Sequence, residues 1–93
     1  MDKVVKQFVK LAKAYNVQKV VLFGSRARGD NADLSDYDFA IFGVHLTSIE
    51  KAHIYSDVEK IDTLLKIDVV FMDSNVNDEL MNNIKKDGVT IYE

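Results

Sequence analysis

Asp36 and Asp38 stand one residue apart, ten residues beyond a Gly24-Ser25 pair, in the run GSRARGDNADLSDYD. Side chains at i and i+2 of an extended strand point the same way, so the two carboxylates would project side by side. Like charges held that close repel unless a cation or a proton lies between them. Gly24 and Ser25 follow an apolar run and make a tight, phosphate-sized turn. The pattern predicts a divalent-metal site beside a triphosphate cradle. Arg26 and Arg28 add enough local positive charge for one polyphosphate.

A third acid, Asp68, interrupts the apolar run Ile67-Asp-Val-Val-Phe-Met72. A carboxylate there is expensive to bury unless it is paired or bound to metal. One reading puts Asp68 at a strand edge or against a lysine such as Lys66. The other puts it on a strand beside Asp36 and Asp38, because neighbouring strands bring side chains within a few ångströms. Three carboxylates on adjacent strands suit Mg²⁺, a hard cation that prefers oxygen ligands. An isolated D-x-D is a weak signal, and a Gly-Ser pair is weaker. What carries weight is the sequence of a Gly-Ser turn after one strand, two acids opening the next and a third acid later.

The elements that must hold these residues follow from hydrophobic spacing. Val4, Val5, Phe8, Val9, Leu11, Ala12 and Tyr15 recur every three or four residues and predict an amphipathic helix over residues 2–15, stopped at Asn16. Lys19–Phe23 is continuously apolar after its first residue and reads as a buried strand. Residues 25–35 read as a loop whose first part is compatible with one helical turn. Tyr37–Phe42 reads as a second strand, with Tyr37, Phe39 and Ile41 on the face opposite Asp38, Ala40 and Phe42. Thr47-Ser-Ile-Glu50 fits a capping box ahead of a long helical stretch. Its apolar stripe is expected to comprise Ile49, Ala52, His53, Val58, Ile61, Leu64 and Leu65. A third strand covers 67–72. A last helix, capped by Asn75 or Asn77, carries Leu80, Met81 and Ile84, ends on Lys85 and Lys86, and stops at Gly88. Val89–Tyr92 is a fourth strand. The expected fold is α+β in the order α-β-β-α-β-α-β, a small mixed sheet packed with helices, forming one domain over residues 1–93.

Composition narrows the function classes. The 93 residues carry a net charge of −3, and 47% are hydrophobic and 29% charged, as in ordinary globular domains. Absence of cysteine excludes disulfides, thiolate metal sites and cysteine nucleophiles. The acidic balance opposes a phosphate-gripping nucleic-acid surface, so no direct nucleic-acid binding is expected. No apolar run reaches the roughly 18–20 residues of a membrane span, and no signal peptide is evident, so a cytoplasmic location is the expectation.

The run GSRARGDNADLSDYD also resembles the G-S-x10-D-x-D signature of nucleotidyltransferases related to DNA polymerase β, with Asp68 at the place of their third acid. The match runs nearly end to end and looks most like the minimal nucleotidyltransferases, the small antitoxin partners of HEPN-domain toxins. The resemblance implies a nucleotidyltransferase core that transfers AMP from ATP to a hydroxyl, in the antitoxin members a tyrosine of the cognate toxin. It implies that Gly24 lets the backbone approach the phosphates and that Ser25 bonds a phosphate oxygen. Asp36 and Asp38 would bridge two Mg²⁺ ions, and Asp68 would ligate the second and could accept the acceptor's proton. Arg28 and Arg26 would neutralise phosphate charge. Two other functions remain open at this stage. One is a non-catalytic antitoxin that occludes its partner. The other is the catalytic subunit of a two-chain enzyme acting on a small molecule such as an antibiotic.

The remaining candidates are assigned to structure. His45 and His53 have no second ligand at metal spacing. Asp30 and Asp33 are read as loop acids, the tyrosines as packing residues, and the lysines of the first helix as a solvated face.

Overall fold

Helix α1 (Lys3–Ala14) begins at Asp2, whose carboxylate accepts the Val5 N–H at 2.9 Å, as an N-cap should. In the computed structural model, which describes residues 2–43, 45–72 and 77–93, it is followed by β1 (Lys19–Phe23) and α2 (Ser25–Arg28). Then come β2 (Tyr37–Phe42), α3 (Ser48–Glu59), β3 (Ile67–Phe71), α4 (Asp78–Asp87) and β4 (Val89–Tyr92). The expected order holds, with α2 as the single helical turn after Gly24. Asn16 ends the α1 region at φ 56°, a left-handed conformation that Asn tolerates. Asn77 caps α4 by accepting from the Leu80 N–H at 2.8 Å; Asn75 lies outside the described residues.

The four strands form one mixed sheet in the order β3-β2-β1-β4. β1 is antiparallel to both β2 and β4, and β2 is parallel to β3. The parallel pair needs a crossover, which α3 supplies. Register places Phe23 opposite Asp38 on one side and Asp68 opposite Asp38 on the other.

Alternation along β2 divides the core as expected. Tyr37, Phe39 and Ile41 face α1 and α3, where they pack with Val4, Val5, Phe8, Ala12, Ile54 and Val58. Phe8 and Phe39 are fully buried and stack with ring centroids 3.9 Å apart. Each such ring contributes about 1.5–3 kcal/mol by leaving water. On the other face Val21, Phe23 and Ala40 pack against Ile84 of α4.

The expected stripe of α3 needs correction. The helix ends at Glu59 and buries Ile54 and Val58, while Ile49 is 70% and Leu64 106% exposed. The packed positions 54, 58 and 61 follow the i, i+4, i+7 period; Ile49 falls off that line and Leu64 lies beyond the helix. The capping box does form, with Thr47 and Glu50 exchanging side-chain to backbone bonds of 3.1 and 3.0 Å. Gly88 caps α4, but not through a left-handed turn, since its φ is −68°. A side chain there would meet the Ile84 carbonyl at 2.2 Å and Val21 at 2.6 Å, so the glycine is needed for room. Among the described residues, no helix is long and apolar enough to cross a membrane.

Candidate active site

β1 runs out at Phe23, and Gly24 turns the chain with φ 77°, a conformation that only glycine adopts without strain. The turn is also tight in space. A Cβ built on Gly24 would stand 2.5 Å from Oδ2 of Asp38. The backbone at Gly24 and the Asp38 carboxylate are therefore in direct apposition, across the Phe23–Asp38 register pair. Ser25 follows at once, as the first residue of α2.

Asp38 and Asp68 are partners across the parallel β2–β3 pair, so their side chains leave the same face of the sheet. That face also carries Ala40 and Phe42 with Val70 and Met72, so the acids stand at the end of the apolar patch that α4 covers. Asp36 immediately precedes β2 and is exposed. Burial raises the Asp38 carboxyl above the ordinary range, and the charges of Asp68 and then Asp36 push it further; Lys66 and Arg28 oppose the rise. Two of the acids predicted from the sequence, Asp68 and Asp36, thus act electrostatically on the third, Asp38.

Both sequence readings of Asp68 hold at once. β3 is an edge strand, and Lys66 reaches Asp68 with an Nζ–Oδ1 distance of 3.3 Å. Yet the same Asp68 sits in register with Asp38. Among the described residues, no three acidic, histidine or cysteine side chains are gathered closely enough to hold a metal ion by themselves. An open set is what Mg²⁺ uses, since it keeps several waters and takes one or two carboxylates together with substrate phosphates. The all-oxygen donors and the mutual repulsion at Asp38 fit such an ion.

The two arginines part company. Arg28 donates to Asp30 at 3.1 Å and lies 3.8 Å from Asp87 at the end of α4. The Asp30 bond, chiefly, raises the Arg28 pKa and keeps its charge, which also acts on Asp38. Arg26 is different. Its guanidinium lies 4.1 Å from the centre of the Tyr37 ring, and it donates to the Ser35 carbonyl at 3.0 Å and the Asp33 carbonyl at 3.2 Å. Tyr37 faces α1, away from the acids. Arg26 is thus engaged with the loop and Tyr37 in this structure, apart from Arg28. Residues two apart on a helical turn point in nearly opposite directions, which is the physical reason.

Asp30 is a loop acid that also orients Arg28, whose guanidinium donates to its carboxylate. Asp87 was missed because nothing local in the sequence links it to residue 28. Tyr15 serves packing as expected and also donates to Asp57, joining α1 to α3. A cleft of about 470 Å³ lies between those two helices, lined by Lys10, Leu11, Ala14, Asp57 and Lys60 among others, and Asp36, Asp38 and Asp68 do not border it.

The Gly24 turn is thus set against the first of two in-register aspartates, and the fold that holds them can be compared with known proteins. The family model described as polymerase beta, nucleotidyltransferase matches residues 6–93. The chain belongs to that nucleotidyltransferase family.

Solved structures similar to this family member include a toxin–antitoxin with AMP-PNP, at TM-score 0.74 and 21% identity, covering 94% of this chain and 71% of the other. A second is a tri-AMPylated Shewanella oneidensis HEPN toxin in complex with MNT antitoxin, at TM-score 0.68 and 18% identity, covering 95% and 68%. A third, assigned as a minimal nucleotidyltransferase, has TM-score 0.70 and 21% identity, covering 91% and 86%. At these identities the likeness is one of fold. No curated protein sequence matches this chain.

Proposed function

We propose that this chain is a Mg²⁺-dependent adenylyltransferase that moves AMP from ATP to a hydroxyl, a tyrosine, of a HEPN-domain partner and so acts as its antitoxin. The observation that carries the reading is the register of Asp38 with Asp68 beside the Gly24 backbone. Family membership and the fold likeness to toxin–antitoxin complexes support it.

Gly24 presents bare backbone to the triphosphate, and the hydroxyl and N–H of Ser25 bond its phosphate oxygens. Arg28, already poised between Asp30 and Asp87, supplies positive charge on the side of Asp38. Asp36, Asp38 and Asp68 are the residues that would hold Mg²⁺, which when bound would supply charge neutralisation for the triphosphate and a lowered pKa at the attacking oxygen. Asp68, half-exposed at the sheet edge and paired with Lys66, would take the acceptor's proton once Lys66 gives way. The acceptor oxygen attacks the α-phosphorus, a new P–O bond forms, and the bond to the β-phosphate oxygen breaks to release pyrophosphate. Positioning and charge neutralisation supply most of the acceleration in such a transfer.

The test is the intact mass of a HEPN-domain partner after incubation with this chain, ATP and Mg²⁺. Addition of one or more AMP residues on tyrosine supports the proposal, and an unchanged mass refutes it.

A further inference from the structure

We infer that Arg26 is a positioning residue, which clamps the loop before Asp36 against Tyr37 and thereby sets the pitch of Asp36 and Asp38, rather than a phosphate ligand. The inference deepens the proposed function and rests on it for what the two aspartates hold.

Four contacts make a continuous strut. Asp2, the cap of α1, accepts the Tyr37 hydroxyl at 2.6 Å. The Tyr37 ring, buried against the core, is the platform on which the Arg26 guanidinium lies at 4.1 Å. The guanidinium then bonds two carbonyls of the loop, those of Asp33 and Ser35, the second of which belongs to the residue just before Asp36. The loop closes on itself between them, with Ala32 N–H donating to the Ser35 hydroxyl at 2.9 Å and Ser35 N–H to the Ala32 carbonyl at 3.1 Å.

This strut is anchored on the face of β2 opposite the carboxylates. The charge of Arg26 acts on Asp2, whereas those of Lys66 and Arg28 act on Asp38. A planar fork bonded to two carbonyls and stacked on a ring is a geometry that lysine cannot reproduce. Asp36 lies outside the strand ladder, so the chain where it enters β2 is held by the loop bonds to Arg26 on one side of Asp36 and by the Tyr37 N–H bond to the Lys66 carbonyl, 3.0 Å, on the other.

Arg26→Gln, Arg26→Lys and Tyr37→Leu test it, each checked for folding by thermal melt. Three readouts are needed: Mn²⁺ affinity by electron paramagnetic resonance, ATP affinity at saturating Mn²⁺, and amide exchange over residues 33–36. The expected result is Mn²⁺ binding weakened about tenfold, as for loss of groups that orient metal ligands. ATP affinity should stay unchanged, and exchange in the loop should quicken. Arg26→Gln with Tyr37→Leu should be no worse than either alone, since both remove one strut. Arg26→Lys should resemble Arg26→Gln. Weakened ATP binding with unaltered Mn²⁺ affinity and unaltered exchange would make Arg26 a phosphate ligand and overturn the inference. Failure of the wild-type chain to bind Mn²⁺ would count against the proposed function instead, and loop exchange would then decide the role of Arg26. Should Arg26→Gln not fold, Arg26→Lys carries the same comparison.

Discussion

Gly24 has no room for a side chain because the carboxylate of Asp38 occupies the space: a Cβ there would stand 2.5 Å from Oδ2. The Gly24 turn and the first in-strand acid are thus one unit, built across the β1–β2 ladder.

Gly24→Ala should therefore damage both fold and chemistry. A non-glycine residue at φ 77° costs about 1–2 kcal/mol, and the methyl must also displace the carboxylate. Thermal melts should show a drop of several degrees, roughly 4–8 °C per kcal/mol for a domain of this size. AMP transfer should be lost even at temperatures where the variant is folded.

Gly88→Ala provides the contrast. Its φ of −68° suits alanine, but the methyl would overlap the Ile84 carbonyl and Val21. Overpacking of this kind costs about 1–3 kcal/mol. The melting temperature should fall while transfer per folded molecule is retained, because Val21 and Ile84 lie in the cluster beneath α4 and not among the acids.

The acids predict opposite pH dependences. Asp38 is raised by burial, then by Asp68 and Asp36, so its contribution to stability is present below the unfolded value near 3.8 and is lost as pH rises through the folded value. Asp38→Asn should be the more stable protein at neutral pH, by about 1–3 °C, and the gap should close in acid. Asp2 runs the other way. Burial pushes it up, but the Tyr37 hydroxyl, the Val5 and Val4 N–H groups and the Arg26 charge together hold it below 3.8. Its contribution is present above 3.8 and lost as pH falls through the depressed value. Asp2→Asn should narrow that acid-side loss in a pH series of melts.

Lys66 pairs with Asp68, one of the carboxylates proposed to hold Mg²⁺. Lys66→Met should lower the Mg²⁺ concentration giving half-maximal transfer by about threefold, the scale expected of one solvent-screened ion pair. A higher Mg²⁺ requirement in the variant would show that Lys66 assists binding instead.

Strand limits were legible because continuous apolar runs end at glycine or polar residues, as at Phe23-Gly24. Alternation along Tyr37–Phe42 was legible for the same reason, and both faces pack as read. Strand order was not, since nothing local says that β3 lies parallel to β2, and the pairing of Asp38 with Asp68 depends on it. The α3 stripe misled because Ala52 and His53 beside Ile54 blur the helical period. The separation of Arg26 from Arg28 follows from α2 being a helical turn, whereas in an open loop both could reach one phosphate.

AMP transfer at Asp36, Asp38 and Asp68 is the activity proposed for this chain. The most direct measurement incubates the chain with its HEPN-domain partner, Mg²⁺ and ATP radiolabelled at either the α- or the γ-phosphate. Label should pass to the partner from the α-position only, and Asp38→Asn should abolish it, by a factor of about 10³ or more. Transfer from the γ-position, or equal α-transfer by Asp38→Asn, would contradict the account.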